Sequence, residues 1–184
     1  MTISDDLFRA IERETPLAAL EDHTIAAYAN GVYHNGQSLM FEAQVSSKLG
    51  NDYRPVHEVA VREHALRILK AEGKVIQARQ PASLVNVRNG LLNPVTLELL
   101  PHSPDFRSLV QYNVEWDPGA ACPTYDAWIE ERVGADQVEG LEQMTSLCLD
   151  PAAVPMRSLF LFGPTRSGKS TYARIMQEVV GSQN

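Results

Sequence analysis

The stretch SLFLFGPTRSGKST, residues 158–171, decides the fold class of the last part of the chain. Its first five residues form a short apolar run, which is typical of a strand buried on both faces. Residues 163–170 match GxxxxGK[ST], the phosphate-binding P-loop. A helical pattern follows from about Thr171 to Val180 and ends at Gly181. The order of strand, P-loop and helix predicts the first βα unit of a nucleotide-binding α/β core.

Each residue type in the P-loop has a physical role. Gly163 and Gly168 let the backbone turn so that successive N–H groups face phosphate oxygens, and the next helix directs its positive end at them. Lys169 is expected to reach the β- and γ-phosphates, and Ser170 offers a hydroxyl ligand to nucleotide-bound Mg²⁺. The predicted nucleotide-binding residues, for ATP and Mg²⁺, are Gly163, Pro164, Thr165, Arg166, Ser167, Gly168, Lys169, Ser170 and Thr171.

The motif predicts phosphate binding and does not by itself predict hydrolysis. Turnover also needs an acidic Mg²⁺ ligand on a second strand and a group that positions water. Only a short segment follows Ser170, and Asp117 and Asp150 lie in predicted turns. We therefore expect an incomplete ATPase core and assign no catalytic residue.

Composition indicates an ordinary folded protein. The 184 residues are 44% hydrophobic and 21% charged, and the net charge is −7. An acidic chain with scattered Lys and Arg is poorly suited to bind nucleic acid on its own. Cys122 and Cys148 fit no zinc spacing and are expected to be buried free thiols. Without a secretory signal or an apolar run of membrane-spanning length, we expect a cytoplasmic protein that makes no membrane contact.

The first half of the chain predicts helices around a β-hairpin. Ser4 begins a short helix with an apolar face. Residues 24–41 predict a hairpin with turns at Asn30-Gly31 and Asn35-Gly36 and a last strand at Leu39-Met40-Phe41. A helix is expected from Pro55 to Gly73. His57 and His64 are expected to be surface or capping groups of this helix rather than metal ligands.

The second half predicts short strands and then two helices. Strands are expected at residues 83–87, 95–100 and 112–116, with a turn at Asn89-Gly90. Thr124 is expected to begin a helix that ends at Gly134, and Asp136 with Glu139 predicts the capping box of a second helix. Residues 150–155 are rich in Pro and Ala. They divide the predicted α+β chain into a helical and β-hairpin domain, 1–150, and a P-loop unit, 151–184.

Several motifs, in this order, resemble the phage and plasmid DNA primase–helicase family. The resemblance covers roughly residues 24–184. Each motif before the P-loop is weak alone, but the motifs occur in the same order as in the family. They are Tyr28-Ala29-Asn30-Gly31-Val32-Tyr33, Asn86-Val87-Arg88-Asn89-Gly90-Leu91-Leu92, Pro101-His102-Ser103-Pro104-Asp105, Asp117-Pro118-Gly119-Ala120-Ala121-Cys122-Pro123 and the P-loop.

The resemblance implies a part of a replicative helicase whose superfamily-three core forms a ring, commonly a hexamer, and hydrolyses ATP while moving on DNA. Family roles carry over to Gly163, Gly168, Lys169 and Ser170. The second acidic motif, sensor and arginine finger of the family would lie beyond Asn184, and the primase domain would lie before this region. The expected chain is therefore truncated after the P-loop helix, without independent ATPase or primase activity, and contacts DNA only as part of the complete helicase.

Two other functions compete with this one. The alternative is a non-enzymatic oligomerisation or partner-binding module, residues 1–150, with a vestigial P-loop. A small-molecule P-loop kinase is disfavoured because such an enzyme needs its P-loop near the N-terminus, followed by the rest of its sheet and a lid.

Overall fold

A computed structural model describes residues 3–36, 38–77, 84–149 and 158–181. Mixed helices and short strands confirm the predicted α+β class. The helices are α1 Ile3–Glu14, α2 Ser38–Leu49, α3 Pro55–Ala71, α4 Pro123–Val133, α5 Ala135–Ser146 and α6 Lys169–Val180. The strands are β1 Leu17–Leu20, β2 Ile25–Ala29, β3 Val32–His34, β4 Val75–Ile76, β5 Val85–Val87, β6 Gly90–Leu92 and β7 Leu99–Leu100. Two 3-10 turns cover Gly50–Asp52 and Pro104–Phe106.

The chain divides into two compact units. The first comprises Met1–Ala78 with His102–Val110, and the second comprises Arg79–Pro101 with Gln111–Asn184. The domain boundary expected after residue 150 stays a prediction, because the linker 150–155 lies outside the described residues.

The first unit is built on a sheet with the strand order β3-β2-β1-β4. β1 is antiparallel to β2, with Leu17 opposite Ala27, and parallel to β4, with Ala19 opposite Val75. Successive residues of a strand point to opposite faces of the sheet. Leu17 and Ala19 accordingly join the main core on one face, while Ala18 and Leu20 join a second cluster on the other. The central strand is therefore apolar throughout, since both its faces are buried.

The helical spacing in α1 and α3 predicts which residues pack on this sheet. Phe8 and Ile11 of α1 are buried, as are Val61, Ala65 and Leu69 of α3. Pro55 occupies the first turn of α3, and the His57 ring accepts a hydrogen bond from the Arg54 amide at 3.2 Å. The predicted helix and the capping role of His57 are confirmed.

The predicted hairpin is correct at its first turn and wrong after its second. Asn30 and Gly31 take positive φ values of 53° and 87°, which suit a tight turn between β2 and β3. Residues 39–41, predicted as a strand, belong instead to α2. Phe41 and Val45 are buried, and Leu49 packs against the same core. Their spacing of four residues is helical, and a three-residue window was too short to reveal it.

His102 lies directly against the hairpin turn. A Cβ atom on Gly31 would lie 2.7 Å from the His102 ring, so only glycine fits at this position. The segment continues along β3, where the Tyr33 amide donates to Ser108 O at 2.8 Å and the Tyr33 hydroxyl donates to Pro104 O at 3.1 Å. Burial raises the pKa of Tyr33 to about 12. The predicted polar turn 102–105 is thus a structural part of the first unit.

An ion-pair network joins α1 to the end of α3. Arg9 contacts Glu12 at 2.8 Å and Glu72 at 2.6 Å, while Lys74 contacts the same two carboxylates at 2.5 and 2.8 Å. Hydrogen bonds from Arg9 and then Lys74 lower the pKa of Glu72 from 4.5 to about 2. The Glu72 side chain is 32% exposed, so solvent screens much of the attraction.

We expect Glu72→Gln to destabilise the first unit by about 0.5–1 kcal/mol at pH 7. The pKa of Glu72 is lower in the folded state than in the unfolded state. The carboxylate therefore contributes fully to the free energy of unfolding above the unfolded value of 4.5, and this contribution is lost as pH falls toward about 2. Urea unfolding of both proteins between pH 2.5 and 7 (roughly the window set by this linkage) measures the difference. A difference that stays constant across this range would contradict the role assigned to the network.

The second unit contains the antiparallel sheet β5-β6-β7. Val87 pairs with Gly90, so the turn residues are Arg88 and Asn89, and Gly90 already belongs to β6. The predicted strand 95–100 is reduced to Leu99–Leu100. The predicted strand 112–116 does not form and retains one parallel bridge, between Val87 and Tyr112.

Residues 112–114 bond beside β5, through the Tyr112 amide to Asn86 O and the Arg88 amide to Val114 O, both at 2.8 Å. The Asn89 side chain ends this pairing at Trp116. Its amide nitrogen donates to Trp116 O, and its oxygen accepts from Trp116 N, both at 2.9 Å. These bonds occupy the backbone groups of Trp116 that a strand partner would need.

Helices α4 and α5 are confirmed, but their predicted caps are wrong. α4 begins at Pro123 with Cys122 at the N-cap, so Thr124 lies inside the helix. α5 begins at Ala135 after Gly134, so Asp136 does not form the expected capping box. Cys122 and Cys148 are free thiols and both are exposed, which corrects the expected burial. Each lies just outside a helix, where packing does not cover it.

Candidate phosphate-binding site

The P-loop residues 163–168 lead directly into α6. Gly168 takes a φ of 94° and is the N-cap of the helix. A Cβ atom here would lie 2.9 Å from Trp128, so both the backbone conformation and the close approach require glycine. The predicted helix is confirmed and starts at Lys169, two residues earlier than expected.

The ammonium group of Lys169 is enclosed by its own loop. Its Nζ donates to Gly163 O at 2.9 Å, to Pro164 O at 2.6 Å and to Ser167 Oγ at 2.9 Å. The loop therefore curls around a positive charge that belongs to the first residue of α6. A phosphate entering the loop would meet this charge together with the amides of the first helical turn, which have no intrahelical acceptors.

The hydroxyl residues at the start of α6 face outward. Ser170 and Thr171 are exposed, so both are accessible to a ligand. Tyr172 is buried, and its amide donates to Gly168 O at 2.9 Å. Its hydroxyl is hydrogen-bonded to Thr145 Oγ1 on α5. Tyr172 thus holds the first turn of α6 on α5 and leaves the two hydroxyl residues accessible.

The other end of α6 is also held. The Asn113 amide donates to Val179 O at 3.0 Å, and its side chain donates to Glu178 O at 3.2 Å. These bonds satisfy carbonyl groups that a helix C-terminus leaves without partners.

A cavity of about 590 Å³ adjoins the loop. This volume lies in the range of small-ligand sites. Lys169 and Arg132 are the charged residues among the described residues that line it. The lining residues are Trp128, Ile129, Arg132, Val133, Gln137, Gly140, Leu141, Leu159, Phe160, Leu161, Phe162, Gly163, Pro164, Ser167, Gly168, Lys169 and Tyr172.

The predicted buried strand at residues 158–162 does not form. No strand is assigned there, and Phe160 and Phe162 are 87% and 102% exposed. A strand of this kind is stable only when neighbouring strands and helices cover its edges and faces. Within the part of the chain that the structure describes, no strand pairs with these residues. An apolar run alone was therefore insufficient to predict the strand.

Sequence reasoning missed two residues of this site. The sequence predicts that Trp128 and Arg132 belong to the helix before Gly134, and gives neither a role at the P-loop. They lie 40 and 36 positions before Gly168 in the sequence, and no motif spacing links them to the P-loop. Their proximity depends on how α4 and α6 pack.

Other candidate sites have less support. Ser103 Oγ accepts from the Asp105 amide at 3.2 Å, so this residue caps a turn beside His102. No cluster of three or more His, Cys, Asp or Glu that could hold a metal occurs among residues 3–36, 38–77, 84–149 and 158–181. Over the same ranges, each helix is too short or too polar to traverse a lipid bilayer.

Comparison with known families adds independent evidence. The family model described as "D5 N terminal like" matches residues 5–134. This match begins earlier than the resemblance seen in the sequence and ends before the P-loop. No curated protein matches the chain. Since the match covers well over half of the 184 residues, the chain belongs to the D5 N terminal like family, which is the N-terminal region of phage and plasmid primase–helicases of the D5 type.

Proposed function

We propose that residues 163–171 bind the phosphates of ATP with Mg²⁺, in the context of a DNA-replication primase–helicase. The observation that carries this proposal is the enclosure of the Lys169 ammonium by Gly163 O, Pro164 O and Ser167 Oγ at the start of α6. A cation, free helix amides and a glycine-rich loop at one point form an anion-binding site.

Each residue of the proposed site contributes to nucleotide binding through a different chemical group. Lys169 exchanges its bonds to loop carbonyls for bonds to phosphate oxygens, which carry full negative charge and accept more strongly. The amides of Gly163, of residues 165–168 and of the first α6 turn orient the phosphates, while Pro164 has no N–H to donate. Ser170 contributes a hydroxyl to Mg²⁺ that arrives with the nucleotide, and Thr171 adds a second exposed hydroxyl.

We also propose that this chain binds ATP without hydrolysing it. Among the described residues that line the cavity there is no Asp or Glu. Phosphoryl transfer by P-loop enzymes uses an acidic metal ligand and a group that positions water. Hydrolysis, DNA contact and assembly into a ring are functions that we assign to the complete helicase.

Titration of the chain with Mg²⁺-ATP by calorimetry tests the proposal. We expect saturable binding of one nucleotide per chain and a heat signal that is lost with adenosine, which has no phosphates. Affinity should fall when EDTA removes Mg²⁺, because Ser170 then loses its metal partner.

An absence of binding would favour the alternative, a non-enzymatic interaction module. Within residues 1–150, the exposed Val95 and Leu97 are the observation that supports it, since exposed apolar patches mark interaction sites. In that case size-exclusion chromatography with light scattering should show self-association that Val95→Ser with Leu97→Ser removes.

A further inference from the structure

The last turn of α4 lies against the P-loop. A Cβ atom on Gly168 would lie 2.9 Å from Trp128 Cζ2 and 3.7 Å from both Cγ and Cδ of Arg132. Trp128 and Arg132 are four residues apart and therefore share one face of α4. That face contacts the residue immediately before Lys169.

The charges at this point favour an anion. The chain as a whole carries a net charge of −7, yet Arg132 and Lys169 are the charged residues in the described lining of the cavity. Among the described residues, the carboxylate that pairs with Arg132 is that of its neighbour Glu131, at 3.5 Å, and the Glu131 side chain is 68% exposed. An exposed pair at this distance is weak, so a phosphate can compete for the guanidinium.

We propose that Arg132 is a phosphate-contacting cation of the nucleotide site in addition to Lys169, supplied by the D5 N terminal like region that precedes the P-loop. The inference rests on the proposed function. The planar guanidinium can donate two parallel hydrogen bonds to a phosphate, which the single ammonium of Lys169 cannot do. Trp128 is a positioning residue, because its ring fills the space beside Gly168 and fixes the loop against α4.

Arg132 has a purely structural alternative role. Its aliphatic stem packs beside Gly168, and this packing alone would make it a support of the loop. If Arg132 only packs against the loop, replacing it should lower thermal stability. If it contacts phosphate, replacing it should lower the affinity for phosphate ligands. Arg132→Met separates the two roles, because methionine keeps an apolar stem and removes the charge.

The experiment measures binding of Mg²⁺-ATP and of inorganic tripolyphosphate by calorimetry, with thermal unfolding of each free protein. The variants are Arg132→Gln and Arg132→Met. The matched control is Arg174→Gln, which removes the same charge from an exposed position on α6 outside the cavity lining. We expect both Arg132 variants to bind both ligands about tenfold more weakly or worse, and the control to match the wild type.

Three other results would overturn the inference in distinguishable ways. If the wild type binds and Arg132→Met binds with the same affinity, the P-loop site is supported but Arg132 is not part of it. An equal loss of affinity in Arg174→Gln would mean that the effect comes only from the change in net charge. Failure of the wild type to bind either ligand would overturn the proposed function and this inference together.

Discussion

Lys169→Ala is expected to weaken Mg²⁺-ATP binding about 100-fold, the largest effect on binding that we foresee for a single residue. The substitution removes a cation that makes three hydrogen bonds inside the loop. Hydrogen bonds to a charged group contribute about 1.5–3 kcal/mol. It also leaves the carbonyls of Gly163 and Pro164 facing the incoming phosphate without a cation between them. Calorimetry of the wild type and the variant measures the change.

Two control variants make this result specific. Lys70→Ala removes the same charge from an exposed position on α3 and should leave affinity unchanged. Lys169→Arg keeps the charge but replaces a compact ammonium with a wide planar group, so we expect partial binding. If Lys169→Ala binds ATP as tightly as the wild type, the nucleotide does not occupy the P-loop and the proposed function is wrong.

Phe8→Ala is expected to have the largest effect on stability. The Phe8 side chain is fully buried in the main core of the first unit and contacts the His64 ring edge-on, with centroids 6.4 Å apart. Arg9 lies over its ring at 5.1 Å. Replacing a buried phenylalanine with alanine costs about 3–5 kcal/mol, since it removes apolar contacts and leaves a cavity. Urea unfolding followed by far-UV circular dichroism measures the loss.

Ile3→Ala is the matched control for this prediction. Ile3 lies on the same helix but is 73% exposed, so its truncation should change stability by less than about 0.5 kcal/mol. Both tryptophans, Trp116 and Trp128, belong to the second unit. Their fluorescence therefore follows that unit separately and shows whether unfolding is two-state. A loss below about 1 kcal/mol for Phe8→Ala would mean that α1 is not part of the core.

The parts of the fold that were predicted correctly depend on residues close together in the sequence. The spacing of Val61, Ala65 and Leu69 predicts α3 because an amphipathic pattern repeats with each helical turn. Asn30-Gly31 predicts the first hairpin turn because both residues tolerate positive φ. The P-loop followed by α6 is likewise a continuous motif. Local steric and periodic rules are sufficient in these cases.

The errors occur where distant residues decide the outcome. Residues 39–41 became part of α2 because Phe41 packs in a core with Phe8 of α1 and Val61 of α3. The pairing of residues 112–116 ends at Trp116, whose backbone groups bond to the Asn89 side chain. The apolar run 158–162 is exposed because its strand-like pattern needs neighbours that are not among the described residues. In each case a backbone hydrogen bond or a buried contact depended on a partner that the local pattern does not specify.

The sequence by itself determined which residues form the proposed phosphate-binding site, because the glycines, Lys169 and Ser170 belong to one continuous turn and its helix. Membership of the D5 N terminal like family is likewise evident at the level of sequence. The tertiary structure alone placed Trp128 and Arg132 beside Gly168. Their approach depends on how α4 packs near the P-loop, and such packing arises from many weak long-range contacts that leave no motif in the chain.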